Sequence, residues 1–227
     1  MEVLKLTNSY ELLKALHALQ LPIQEKDPWW WPNSGTYEVV IGALLTQNTK
    51  WQKVEEALEN LRTLEALTIE GLANLDEELL REAIRPAGFY NTKAKRLKLL
   101  NQSIGDKFGD FETFQYAVER RWLLSKKGIG EETADAILNY ACYREAMVVD
   151  SYTAGLLRAL GYTFEDYRGI QAWLIEGLKD YDIKVRELFP SLPKAQIYAL
   201  FHGMIVEYCK QYKRGKRYDL SLLGVTL

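Results

Sequence analysis

The chain has 227 residues, of which 48% are hydrophobic and 26% charged, the balance of a folded globular protein and not of a disordered one. Its formal charge is −2, which excludes a uniformly basic surface, so an anionic partner would have to be met by a local patch. A chain of this length buries roughly 70% of its extended surface and needs no disulfide or metal staple.

Helical periodicity runs almost from end to end. Asn8 and Glu11 read as a helix start, and Leu12, Leu13, Leu16 and Leu19 form the apolar stripe that follows. His17 falls in that stripe and is read as structural. Next comes Asp27-Pro28-Trp29-Trp30-Trp31-Pro32. Three consecutive tryptophans between prolines cannot all face one core, so at least one is expected to line a cleft. A second helix is expected over 37–46. Thr49 with Gln52 reads as a capping box for a third, carrying Val54, Leu58 and Leu61. Asp76 opens a helix with Leu79, Leu80 and Ala83, ended by Pro86 and Gly88. Helices are then expected over about 91–107 and 110–118.

The stretch 122–141 reads as helix, glycine turn, helix, with the turn at Gly128-Ile129-Gly130. Another helix follows Asp150, with Ala154, Leu157 and Leu160, and two more are expected near 171–179 and 194–211. Only 146–149 alternates like a strand. The fold class is therefore all-α.

Cys142 and Cys209 are too few for a disulfide framework, a four-thiolate zinc site or an iron–sulfur cluster, and the histidines are only His17 and His202. No metal site is expected. The longest apolar run, 39–45, is far short of a membrane span. The N-terminus lacks a basic-then-apolar stretch, so the expected location is the cytoplasm. Basic residues cluster at Lys93, Lys95, Arg96 and Lys98, at Arg120, Arg121, Lys126 and Lys127, and at Lys210, Lys213, Arg214, Lys216 and Arg217. Each alone reads as a solvated helix face. Three of them on an acidic chain leave room for one basic face.

Two features carry chemistry. Glycines flanking Ile129 permit a tight turn whose backbone N–H groups face outward, next to the positive end of the following helix. That geometry holds a phosphate without reading base sequence. Asp150 lies twenty residues after Gly130 and opens a helix, where a carboxylate is held ionised by the dipole and by N–H donors. Such a group is a weak base but a good partner for developing positive charge.

The segment from Trp122 to Ala141 resembles the helix-hairpin-helix of DNA glycosylases in the endonuclease III superfamily, usually L-P-G-V-G-x-x-T-A, with Lys127 in place of the proline. The stretches VVDSYTAGLLRALG, GFYNTKA and LLTQNTKW look like further elements of that family, with a weaker echo at His202-Gly203. The W-W-W-P segment and the aromatic after T-K are most similar to its 3-methyladenine glycosylases. The resemblance implies two helical lobes with a cleft between them: a barrel-like lobe over 37–143, and 1–36 joined with 150–227. It makes Asp150 the catalytic carboxylate. Trp30, Trp31, Pro32 and Trp51 become walls of a pocket for a flipped base, with Lys210 approaching it. Lys127, Gly128, Ile129 and Gly130 would hold the DNA backbone, helped by Lys93 and Lys95. Gln47 would fill the hole left by the extruded base.

N3-alkylated adenine is cationic, so its glycosidic bond is weak and stacking on tryptophan gains cation–π attraction. One carboxylate can then suffice without an acid partner. The lysine that attacks the sugar in bifunctional relatives is replaced by Glu132, which cannot form an imine, so hydrolysis by water without strand cleavage is expected. The family's cysteine quartet is missing, so no iron–sulfur cluster and no required cofactor is expected, and the C-terminal basic segment must be held by packing. A monovalent cation at the hairpin is compatible with the motif. The expected partner is double-stranded DNA containing alkylated bases, met by a monomer, with no membrane. A glycosylase for a mismatch or another lesion and a non-catalytic DNA-binding hairpin module are the alternatives.

Overall fold

In the computed structural model, residues 6–25, 27–215 and 217–224 are described. Asn8 caps α1 (Ser9–Ala18) by accepting the Glu11 amide, and the Leu12, Leu13 and Leu16 stripe is buried. In α2 (Tyr37–Leu45) every residue except Glu38 is buried, the signature of a helix surrounded on all sides. α3 (Trp51–Thr63) starts at Lys50 without a side-chain cap. The expected Thr49/Gln52 capping box does not form, because the Thr49 hydroxyl donates to the Ala87 carbonyl and accepts from Lys93. Thr68 caps the short α4 (Ile69–Asn74), and Asp76 caps α5 (Glu77–Ala83) through the Glu78 and Leu79 amides.

A 3-10 turn, Arg85–Ala87, leads to Phe89, which is 71% exposed in the left-handed region at φ +49°. There follow α6 (Tyr90–Phe108), α7 (Phe111–Ala117), capped by Asp110, and α8 (Arg120–Leu124). α9 (Glu131–Ala136) runs into one π turn, Ile137–Ala141. Asp150 and Asp166 cap α10 (Ser151–Ala159) and α11 (Tyr167–Asp180), and α12 (Asp182–Leu188) precedes the long α13 (Lys194–Tyr212). The segment 146–149 is extended, with Met147, Val148 and Val149 buried, but pairs with no strand among the described residues; the one ladder joins β1 (Lys213–Arg214) to β2 (Arg217–Tyr218). The fold is all-α apart from this small hairpin.

The chain divides into two compact units, Asn33–Cys142 and a second built from the residues up to Pro32 with those from Tyr143 onward. In the first, α2 is the hub, touching α3, α6, α9 and the π turn. Lys93 is 2% exposed there, and its ammonium donates to the carbonyls of Leu45 and Ala87 at 2.8 Å each and to the Thr49 hydroxyl at 2.7 Å. It neutralises the negative end of α2. The expectation that Lys93 touches DNA is therefore corrected: its charge is spent inside the fold, while Lys95 is exposed.

In the second unit, α13 is buried along most of its length and packs with α1 and α10, and Leu12, Leu156, Leu174, Phe201 and Tyr208 share one core. The C-terminal basic segment is held by this packing: the Tyr208 hydroxyl donates to the Asp219 carbonyl, and Leu220 and Leu223 are buried. Lys216 lies outside the described residues. Among the described residues, no helix is long and apolar enough to cross a membrane.

Candidate functional site

Asp150 ends the extended segment 146–149 and caps α10. Its Oδ1 accepts the Thr153 amide at 2.8 Å and the Thr153 hydroxyl at 2.9 Å. Its Oδ2 lies 3.6 Å from His202 Nε2 on α13, with the two side chains only 15% and 4% exposed. Burial alone would raise this carboxyl. The polar contact and charge of His202, joined by the Thr153 amide and hydroxyl, outweigh burial and hold it below its ordinary value. The result is an anionic oxygen with fixed orientation in a sparsely hydrated place.

The tryptophan segment folds against the same helix. The Trp30 and Trp31 amides donate to Asp27 and Trp29 carbonyls, a tight winding that puts Trp30 at φ +70°. A left-handed tryptophan is strained by about 1–3 kcal/mol, so surrounding contacts must hold it. They do so on α13. The Trp30 ring stands edge-on to His202 at 5.3 Å, and its indole nitrogen donates to Glu207 Oε1 at 3.1 Å. At Gly203 a Cβ would sit 2.5 Å from Trp30 Cγ, so only glycine lets the ring lie this close to the helix. Lys210 Nζ lies 5.7 Å from the same ring and 2.9 Å from Glu207 Oε1. Trp31 is buried at 7% exposure, nearly perpendicular to Trp30, and Pro32 is half-buried. Trp29 leaves this group and packs on Tyr143 at 4.3 Å.

The other expected residues lie in the unit Asn33–Cys142. Gly128 takes φ +89°, and a Cβ there would lie 2.4 Å from Arg96 Cδ. The turn is thus laid directly on the Arg96 side chain. Ile129 is buried, Gly130 is the N-cap of α9, and Lys127 is exposed. Arg120 locks the two hairpin helices together with a forked ion pair to the buried Asp135 at 2.7 and 2.9 Å. Gln47 is tied to the hairpin: its Nε2 donates to the Gly128 carbonyl at 2.8 Å and to the Thr133 hydroxyl at 3.0 Å, and its Oε1 accepts from Arg96 at 3.3 Å. Trp51 opens α3 and is half-buried; Glu132 is exposed at the start of α9.

Asp150, Trp30, Trp31, Pro32 and Lys210 are thus gathered in one unit, and Gln47, Trp51 and the hairpin residues belong to the other. Sequence reasoning missed His202, Gly203 and Glu207 as supports and Arg96 as the hairpin's bed. The His202-Gly203 pair stood as a faint signal; Glu207 gave none. Cys209 sits under α10 with its thiol 3.8 Å from the Tyr152 carbonyl, and burial, reinforced by the Asp150 charge, pushes it up to about 12. Among the described residues, no three His, Cys, Asp or Glu side chains cluster as metal ligands.

Comparison with known proteins identifies the family and the fold. The HhH-GPD superfamily base excision DNA repair protein family matches residues 41–174. A Methanocaldococcus jannaschii protein, provisionally named a DNA repair glycosylase, is 40% identical over 216 residues, covering 92% of either chain. The solved structure of the H. pylori 3-methyladenine DNA glycosylase, bound to 1,N6-ethenoadenine, superimposes with a TM-score of 0.86 at 44% identity, over 90% of this chain and 98% of that one. A trapped endonuclease III–DNA covalent intermediate shares the fold, with a TM-score of 0.68 at 16% identity over 94% and 92% of the two chains.

Proposed function

The chain belongs to the HhH-GPD superfamily of base excision DNA repair proteins, and on that footing we propose that it is a monofunctional glycosylase hydrolysing the N-glycosidic bond of alkylated purines, chiefly 3-methyladenine, in double-stranded DNA. The observation that carries the reading is the meeting of Asp150 and Trp30 at one residue, His202, 3.6 Å from the carboxylate and 5.3 Å from the ring. A charge stabiliser and an aromatic wall then belong to one rigid assembly. The extent of identity with the H. pylori enzyme supports the same substrate class.

The chemistry follows from the substrate's charge. An N3-methylated adenine is a cation, and when its bond to C1′ breaks, the electron pair leaves with the base and neutralises it. The sugar is left as an oxocarbenium-like cation, opposed by the ionised Asp150. Water adds at C1′ and gives up a proton, restoring charge balance. Stacking of the cationic base on Trp30 contributes about 0.5–2 kcal/mol. Trp31 and Pro32 bound the pocket from the same segment. The turn Lys127–Gly130 holds a phosphate, and Gln47 fills the vacated position in the stack by exchanging its hairpin contacts for the duplex. No cofactor enters this chemistry; a monovalent cation at the hairpin would compete with Gln47 Nε2 for the Gly128 carbonyl. A cytoplasmic monomer suffices for it.

Asp150→Asn keeps the shape and removes the charge. Base release from methylated duplex is expected to fall by about a hundredfold or more. A parent-like rate would overturn the assignment. With Glu132 in place of a nucleophilic amine, borohydride is expected to trap no covalent adduct with DNA; a trapped adduct would overturn the monofunctional reading.

A further inference from the structure

Glu207 does two things with one oxygen. Its Oε1 accepts the Trp30 indole N–H at 3.1 Å and the Lys210 ammonium at 2.9 Å. Gly203, Glu207 and Lys210 follow one another at helical spacing, so a single face of α13 presents the ring's seat, its hydrogen-bond partner and a cation. Lys210 Nζ is 5.7 Å from the centre of the Trp30 ring, and its side chain is 45% exposed. Left alone, that ammonium would repel a positively charged base stacked on the indole. A wall for neutral bases would need an acceptor for the indole N–H but not its negative charge.

We infer that Glu207 is a specificity-determining residue that tunes the Trp30 wall for positively charged bases, an inference that rests on the base-pocket reading above. Three effects point the same way. The carboxylate cancels the Lys210 charge beside the ring. It places its own negative charge within reach of a stacked cation. It also polarises the indole N–H toward itself, leaving the ring face richer in electrons for a cation–π contact. Glu207 touches Trp30 and Lys210 rather than the reacting atoms, so its effect is on which base is held. The Asp150 side of His202 is untouched by it.

The test separates charge from shape. Glu207→Gln keeps an acceptor for the indole N–H and removes the charge; Lys210→Met removes the cation it offsets. Intact parent, both single variants and the double variant are titrated with two free bases, the permanently cationic 3,9-dimethyladeninium and the neutral 1,N6-ethenoadenine, read by quenching of tryptophan fluorescence. Release of methylated purine from duplex DNA is followed in parallel. Glu207→Gln is expected to lower the cation-to-neutral affinity ratio by about tenfold, the size of a one-unit effect from a neighbouring charge. Adding Lys210→Met is expected to return most of that ratio. If Glu207→Gln weakens both probes equally, Glu207 merely props the ring, and if the ratio stays at the parent value it selects no charge; either result overturns the inference. Failure of the double variant to recover overturns the role given to Lys210. A parent protein that releases no methylated purine would sink the substrate reading, while the probe ratio would still judge Glu207.

Discussion

His202 places its Nε2 3.6 Å from Asp150 Oδ2 across the α10–α13 packing, and this contact, together with the Thr153 amide and hydroxyl, offsets the burial that would otherwise raise the carboxyl. In the proposed mechanism, base release requires the ionised carboxylate. Because the folded value is depressed, activity should persist in acid until the pH falls below the ordinary aspartate value of about 4. In His202→Phe the ring volume stays and the partner is lost, so burial dominates and the acid limb of the rate profile moves upward. Stability shifts with it. In the parent, Asp150 stabilises the fold above the unfolded-state value, and that contribution is lost as pH falls through the depressed one; in the variant it disappears. Single-turnover rates against pH, with urea melts at the same pH values, check both.

Gly203→Ala introduces a methyl group where Trp30 already lies. Overpacking of this kind costs about 1–3 kcal/mol, and here the ring must move. Base release should fall more than duplex affinity does, since Gly203 supports the wall and no phosphate contact. Rate and gel-shift affinity measured on the same methylated duplex decide it; a larger loss in affinity than in rate would contradict the assignment.

Gly128→Ala should distort the hairpin through both its left-handed backbone and the Arg96 bed, at about 1–3 kcal/mol. Binding to duplex should weaken, and its dependence on salt should become shallower as a phosphate contact is lost. An unchanged salt slope would remove the turn from the DNA footprint.

Lys93→Met keeps the stem and removes the ammonium's three hydrogen bonds, leaving the Thr49 hydroxyl bonded to the Ala87 carbonyl and taking the side-chain donor from the Leu45 carbonyl, a loss of about 1–3 kcal/mol in unfolding free energy at neutral pH. Burial, with Arg96 adding repulsion, lowers the Lys93 ammonium to about 8. Between that value and the ordinary lysine value of about 10.4, the unfolded chain binds more protons than the folded one, so this residue makes stability rise with pH. The variant should lose that rise, as chemical denaturation across the alkaline range would show.

The legible parts of the chain were those where one residue states its own context. Asp150, Asp76 and Asn8 cap the helices they were expected to open, and the nearly unbroken apolar run of α2 became a central helix. α4 and α12 bury a single residue each, Leu72 and Val185, so no periodicity could announce them. Thr49 carried a cap signal that Lys93 and Ala87 override from distant positions in the chain. Lys93 looked like a surface charge because nothing local shows three acceptors converging on it. In the candidate site, Asp150 and the tryptophans stood out by type and spacing. Glu207 did not, because its partner Trp30 lies 177 positions away.

Cys209 has a chemical consequence of its own. A methylating electrophile that damages DNA also attacks thiolates, and this thiol, buried and pushed up to about 12, is almost never one. Cys142 is buried as well. Both thiols are thus shielded from such reagents, and thiol-directed alkylation of the folded protein should be slow until it unfolds.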